Sequence, residues 1–207
     1  MIEDGEIFGN RMPGSVIRKA VRNQKKYISK YGDESGKTYH LVAVDNPVLT
    51  PAMGVKVLKL SDEPLGKLPP KPLVIGNIRM GFGHYRISMA IASAARKMGF
   101  TPLWLDLNSF PETVCTKIIS SQNELYSKAS RISQKSKLFN RLIWEPLNYE
   151  GFRKITYNYG DQKNAELMVP LFNDLPKDIP YVATHVWPAQ AAVHAGLNHV
   201  SSLGNRY

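Results

Sequence analysis

The stretch from 72 to 107, PLVIGNIRMGFGHYRISMAIASAARKMGFTPLWLDL, narrows the possible folds more than any other part of the chain. A short apolar run, Leu73 to Ile78, breaks into a turn holding Gly81 and Gly83, and His84 follows at once. Residues 85 to 98 then have helical spacing. They put Ile87, Ala90, Ile91, Ala94, Ala95 and Met98 on one face, with Gly99 as the C-terminal stop. A second apolar run, Thr101 to Leu107, closes the unit. Strand, helix and strand with short links make a βαβ unit, which implies parallel strands and a right-handed crossover.

The remainder extends this α/β rhythm. Residues 112 to 132 and 135 to 155 read as helices with a break near Pro146, and residues 161 to 173 as another. Pro180 to Val186 reads as a third buried strand. Pro188 to Ala195 reads as a short helix stopped by Gly196, and His199 to Ser202 as a fourth strand. Upstream, Gly14 to Tyr31 is a helix with apolar residues at three- and four-residue spacing. Tyr39 to Asp45 and Val55 to Leu60 are strand candidates, the second an edge strand or hairpin arm. The proline- and charge-rich SDEPLGKLPPKP, 61 to 72, reads as a linker. The expected architecture is therefore an α+β extension over 1–70, followed by a Rossmann-like unit over 71–207. That unit is a parallel sheet with helices on both faces.

The glycine turn lies beyond the carboxyl end of the unit's first strand, where open parallel sheets bind ligands. Glycine lets a ligand approach the backbone, and free N–H groups at a helix start favour an anion. Gly81, Phe82 and Gly83 are thus candidates for holding phosphate, with Arg79 and Arg86 adding charge on either side. Equally, the glycines could simply make a tight turn. The dinucleotide fingerprint is incomplete, because Arg86 stands where its third glycine belongs, although Asp106 ends the next strand where an acid can contact a ribose. No Walker Gly-Lys-Ser/Thr follows. His84, at the helix start, either caps or packs, or as a neutral imidazole accepts a proton from a hydroxyl. His185 ends the third strand on the same side of the sheet and is a second candidate.

GFGHYRISMAIASAARKMGF followed by TPLWLDL resembles the first βαβ unit of GT-B glycosyltransferases. It is most similar to monogalactosyldiacylglycerol synthase, bacterial diacylglycerol glucosyltransferases and the lipid II-forming N-acetylglucosaminyltransferase. Gly81, Gly83 and His84 match the family's glycine loop ending in histidine, with Phe82 a bulky departure from its GGGH or GGTGGH form. The resemblance covers 72 to about 107, extends loosely to 180 to 200 through THVWP, and leaves out 1 to 70. It implies that this unit is one half of a GT-B fold and binds a lipid or lipid-linked acceptor, with His84 as base. A nucleotide-sugar would be the donor, held by a second Rossmann-like domain, with no tightly bound cofactor and no metal. Because the chain ends near the close of the first unit, the isolated chain is expected to be inactive. Two rivals stay open: a UDP-N-acetylglucosamine 2-epimerase-like enzyme, and a non-catalytic binding or membrane-docking module.

Charge bears on partners. The formal net charge is +10, which favours phosphate-bearing partners. The helix over 14–31 carries Arg18, Lys19, Arg22, Lys25, Lys26 and Lys30 on one side without an acid. That side is a solvated face, a surface for anionic lipid, or a nucleic-acid arm. Residues 135 to 159 mix aromatics with cations, as membrane interfaces do. An anionic membrane surface is thus a candidate partner, and nucleic acid is not expected. Cys115 alone cannot form an internal disulfide, and the acidic start lacks a signal-peptide core. Both point to a cytoplasmic protein, peripheral at most on the inner face of a membrane.

Overall fold

A computed structural model describes residues 4–7, 9–79, 82–149, 154–198 and 200–202. In chain order, a two-residue hairpin, β1 (Glu6–Ile7) and β2 (Asn10–Arg11), leads into α1 (Gly14–Tyr31). Then come β3 (His40–Asp45), α2 (Leu49–Met53) and β4 (Lys56–Ser61), followed by β5 (Pro72–Asn77), α3 (Phe82–Lys97) and β6 (Thr101–Asp106). A helical excursion follows: α4 (Val114–Lys135), α5 (Lys137–Phe139), a π-helical turn (Asn140–Trp144), α6 (Glu145–Tyr149), α7 (Ile155–Glu166) and a 3-10 turn (Val169–Leu171). β7 (Tyr181–Ala183), α8 (Val186–His194) and β8 (Val200–Ser202) complete the described chain.

Six strands form one sheet in the order β3-β4-β6-β5-β7-β8. β5 lies between β6 and β7, parallel to both, and β8 is parallel to β7. The expected parallel sheet over the second part of the chain is therefore present. Alternation along the strands divides the core between its two faces. Val74, Leu103, Leu105 and Leu107 pack with α4, α7 and α8 residues such as Ile118, Ala165 and Ala191, while Ile75 and Trp104 pack under α3 with Ala92, Tyr85 and Met89.

The stretch expected as an extension is part of this sheet. β3 and β4 pair antiparallel, and β4 then runs parallel to β6. Two carboxylates, Glu34 buried and Asp174 partly buried, tie it in. Asp174 accepts from the N–H groups of Leu41 (3.0 Å) and Leu65 (2.9 Å), and Glu34, 8% exposed, accepts from the Val114 N–H at the start of α4 (2.9 Å) and from the Tyr39 hydroxyl. The proline-rich segment is thus a connection within one core.

Other boundaries shift for identifiable reasons. α3 begins at Phe82 rather than residue 85, so Gly83 and His84 stand in its first turn. Its buried face carries Ser88, Ala92 and Ala95, while Met98 is 71% exposed. Near Pro146 the helix adjusts through the π turn: the Glu145 N–H reaches back to the Asn140 carbonyl, and Pro146 has no N–H to give. α7 starts at Ile155 and ends at Glu166, earlier at both ends than the helix expected over 161–173. His199, expected to open the last strand, lies outside the described residues.

α8 supplies a pH-dependent element. Burial lowers the pKa of His194 below its ordinary 6.5, and its Nε2 is buried without a hydrogen-bond partner among the described residues. The fold therefore favours the neutral ring, and the unfolded chain binds more protons near that pH. The contribution to stability is complete above about pH 6.5 and declines as pH falls below it. Urea melts from pH 7.5 to 5 should show wild type losing stability faster than His194→Gln on the acid side. Parallel curves would show that His194 does not cause the loss.

Candidate functional site

From β5 the chain crosses through α3 to β6 on one side, then returns through α4 to α7 to reach β7 on the other. The carboxyl ends of β5 and β7 therefore form the topological switch point of the sheet, the usual ligand crevice of such folds. Two helices start there, α3 after β5 and α8 after β7. The first N–H groups of each have no partner within their own helix and give the crevice a positive lining.

Two histidines meet at this point. His84, in the first turn of α3, lies with Nδ1 2.5 Å from the Thr184 carbonyl oxygen. The carbonyl can only accept, so Nδ1 carries the proton, and the lone pair of the neutral ring is on Nε2. His185 is the N-cap of α8, where its Nδ1 accepts the Trp187 N–H (3.2 Å). Its neutral form therefore has the opposite tautomer, with the proton on Nε2. The two rings stand edge to face, with centroids 5.0 Å apart. The buried Ser88 and Thr184 hydroxyls, 3.0 Å apart, fix the helix to the strand end beneath them. Behind His185, the Trp187 ring packs edge-on and donates its indole N–H to the buried Asp161 carboxylate (2.9 Å).

The other sequence candidates divide between this crevice and its surroundings. Phe82 and Gly83 open α3, and Phe82 is 82% exposed. A Cβ at Gly83 would meet nothing within 4 Å among the described residues. Gly81 lies outside the described residues. Arg86 is exposed one turn further along α3. Arg79 does not flank the turn as a free cation: its Nε is 2.8 Å from Asp106 Oδ2. Asp106 in turn accepts the Asn108 N–H on its other oxygen (2.9 Å), so both carboxylate oxygens are occupied where a ribose contact was expected.

Sequence reasoning missed Asn77. It ends β5 fully buried on the face that α3 covers, with both side-chain polar atoms lacking a partner among the described residues. The available signal was a polar residue closing an otherwise apolar strand, VIGN. It also missed Ser88, Trp187 and Asp161, whose partners are 96 and 26 residues away in sequence.

A family model described as a domain of unknown function (DUF6937) matches residues 6–203, running through both the β3–β4 pair and the parallel strands. No curated protein and no solved structure matches the chain.

Proposed function

The chain belongs to the DUF6937 family, and we propose that it is the acceptor-binding half of a GT-B-like glycosyltransferase acting on a hydroxyl of a lipid or lipid-linked acceptor. The observation that carries this reading is the His84 Nδ1–H bond to the Thr184 carbonyl, which leaves the Nε2 lone pair at the switch point. In the proposed reaction the acceptor hydroxyl gives its proton to His84 Nε2 as its oxygen bonds to the anomeric carbon of a nucleotide-sugar. The bond from that carbon to the nucleoside diphosphate breaks, and the diphosphate leaves with the bonding pair. The Thr184 carbonyl stabilises the imidazolium that forms. The starts of α3 and α8 favour the negative charge that develops on the leaving group.

The test is sugar transfer by the full-length gene product. Radiolabelled UDP-glucose, UDP-galactose and UDP-N-acetylglucosamine are each supplied with diacylglycerol or a polyprenyl-linked sugar in mixed micelles. A labelled lipid product from at least one pair is expected. No product and no donor turnover from any pair would reject the reading.

A lipid acceptor requires access to a bilayer. Among the described residues no helix is long and apolar enough to cross a membrane, so the proposal is peripheral contact from the cytoplasmic side. Support comes from an exposed strip over α4 to α6: Leu125, Ile132, Leu138, Leu142, Ile143 and Tyr149 stand in water beside Lys128, Arg131, Lys137 and Arg141. The six basic residues of α1 are exposed as well. Binding to vesicles containing phosphatidylglycerol should fall sharply between 0.05 and about 0.5 M salt, as screening shortens the Debye length. Equal sedimentation with neutral and anionic vesicles would remove the membrane from the scheme.

A further inference from the structure

A cavity of about 680 Å³ opens on the flank of α3 away from the two histidines. Its walls are Leu49 from α2, Val57 from β4, Trp104 from β6, and Tyr85 and Phe82 from α3. Tyr85 stands edge-on to Trp104, with centroids 5.1 Å apart, and Phe82 forms an exposed aromatic rim. This volume is within the range of small-molecule sites, which are mostly apolar with a few fixed polar groups.

The charged groups are at one end and are built in. The Asp106 side chain is 7% exposed, and burying a carboxylate is costly unless it is paired. One of its oxygens holds Arg79 Nε and the other holds the Asn108 N–H. Asn108 closes the ring by accepting the Arg79 backbone N–H on its side-chain oxygen (2.6 Å). Arg79 is thus gripped through Nε by a buried group while its side chain remains 57% exposed at the mouth. A guanidinium held this way is pre-organised to take an oxyanion on its terminal nitrogens. Beyond Arg79 and Asp106 the polar lining is Asn46 and Ser109. Asn46, the polar side chain beside Leu49, already accepts the N–H groups of Val48 and Leu49 on its side-chain oxygen. The rest of the lining is aliphatic or aromatic, which suits a hydrocarbon better than the polar edge of a nucleobase.

We infer that this cavity binds a single-chain anionic amphiphile, with its hydrocarbon tail between α2, α3 and β6 and its phosphate or carboxylate head on Arg79. This deepens the function proposed above by assigning the tail and head of an amphiphilic substrate to opposite ends of one groove. It rests on that reading only for the link to transfer, since the binding itself follows from the cavity. Phe82 on the cavity rim and His84 in the crevice both belong to the first turn of α3.

The test is calorimetric titration of the full chain with dodecyl phosphate below its micellar concentration. Dodecanoate, dodecyl maltoside, inorganic phosphate and uridine monophosphate serve as comparisons. One dodecyl phosphate per chain is expected, with dodecanoate binding too and the neutral maltoside at least tenfold weaker. Arg79→Gln should weaken dodecyl phosphate at least tenfold. Because Arg79→Gln leaves Asp106 buried without its cation, a second variant, Leu49→Trp, fills the groove from a half-buried position and should weaken binding as much with an unchanged melting temperature. Equal affinity for the maltoside, undiminished binding by Leu49→Trp, or phosphate or uridine monophosphate binding as tightly would overturn the inference. Sugar transfer without amphiphile binding would reject this site alone, and amphiphile binding without transfer would reject only the enzyme reading.

Discussion

Replacing His84 with alanine is expected to lower sugar transfer by the full-length gene product by about 100- to 10,000-fold, the usual contribution of a positioned base. The fold should lose only about 1 kcal/mol, because one partly buried hydrogen bond to the Thr184 carbonyl disappears and no large side chain leaves the core. The contrast between the two numbers is the diagnostic. If His84 merely fastens α3 to the end of β7, the stability loss remains and turnover is nearly kept. Transfer within a few-fold of wild type would remove His84 from the chemistry. The measurement pairs kcat with the urea midpoint of the same preparation.

The largest expected loss of stability follows from a residue with no part in the chemistry. A methyl added at Gly76 would lie 1.6 Å from the Tyr181 hydroxyl oxygen and 2.4 Å from the ring carbon bearing it. Tyr181 is 1% exposed and packs against Phe172, with centroids 5.9 Å apart, so its ring has nowhere to swing. Gly76 itself pairs on both sides, with Leu105 and Ala183. Overpacking of this kind exceeds the common range, and Gly76→Ala should cost about 3 kcal/mol or more, a fall of roughly 10 °C in Tm for a chain of this size. Combining it with Tyr181→Leu should recover much of the loss by returning the space. Tyr181→Phe alone should be neutral or slightly stabilising, because the hydroxyl is buried without a partner among the described residues. A Gly76→Ala protein that melts within a few degrees of wild type would refute this packing account.

Local chemistry made the centre of the fold legible. The short apolar runs at 73–78 and 101–107, with a glycine turn and a glycine stop between them, specify strand, helix and strand whatever surrounds them. The register of α3 was not legible, because a helix of alanines, serine and methionine has a weak apolar stripe and Ser88 is buried to meet Thr184. The boundary near Lys71 was misplaced for a different reason. Prolines and charges between 61 and 72 look like a linker, while the carboxylate that holds Leu65 in place is Asp174, far along the chain. At the site, His84 was readable from its place after the glycines. Its tautomer depends on a carbonyl 100 residues away, and the capture of Arg79 by Asp106 needs both strand ends in space. Pairings over such distances leave no trace in local composition.

The bonds from Asp174 to Leu41 and Leu65 also set a schedule for folding. Tyr39 donates its N–H to the Pro170 carbonyl, and Asn173 reaches the Lys37 carbonyl, so the whole entrance to β3 is held by residues 170 to 174. As the chain leaves a ribosome, these early residues are made long before their partners. β3 and β4 can pair with each other early, but the Tyr39 and Leu41 N–H groups at the entrance to β3 must wait for most of the sequence before they find their acceptors. Contacts spanning more than a hundred residues delay folding through the entropy of closing the loop. In the interval the two strands present an unprotected edge to neighbouring nascent chains. Slow synthesis through 66–174 would therefore lengthen the period when this protein is most prone to aggregate, while the finished molecule would be unaffected.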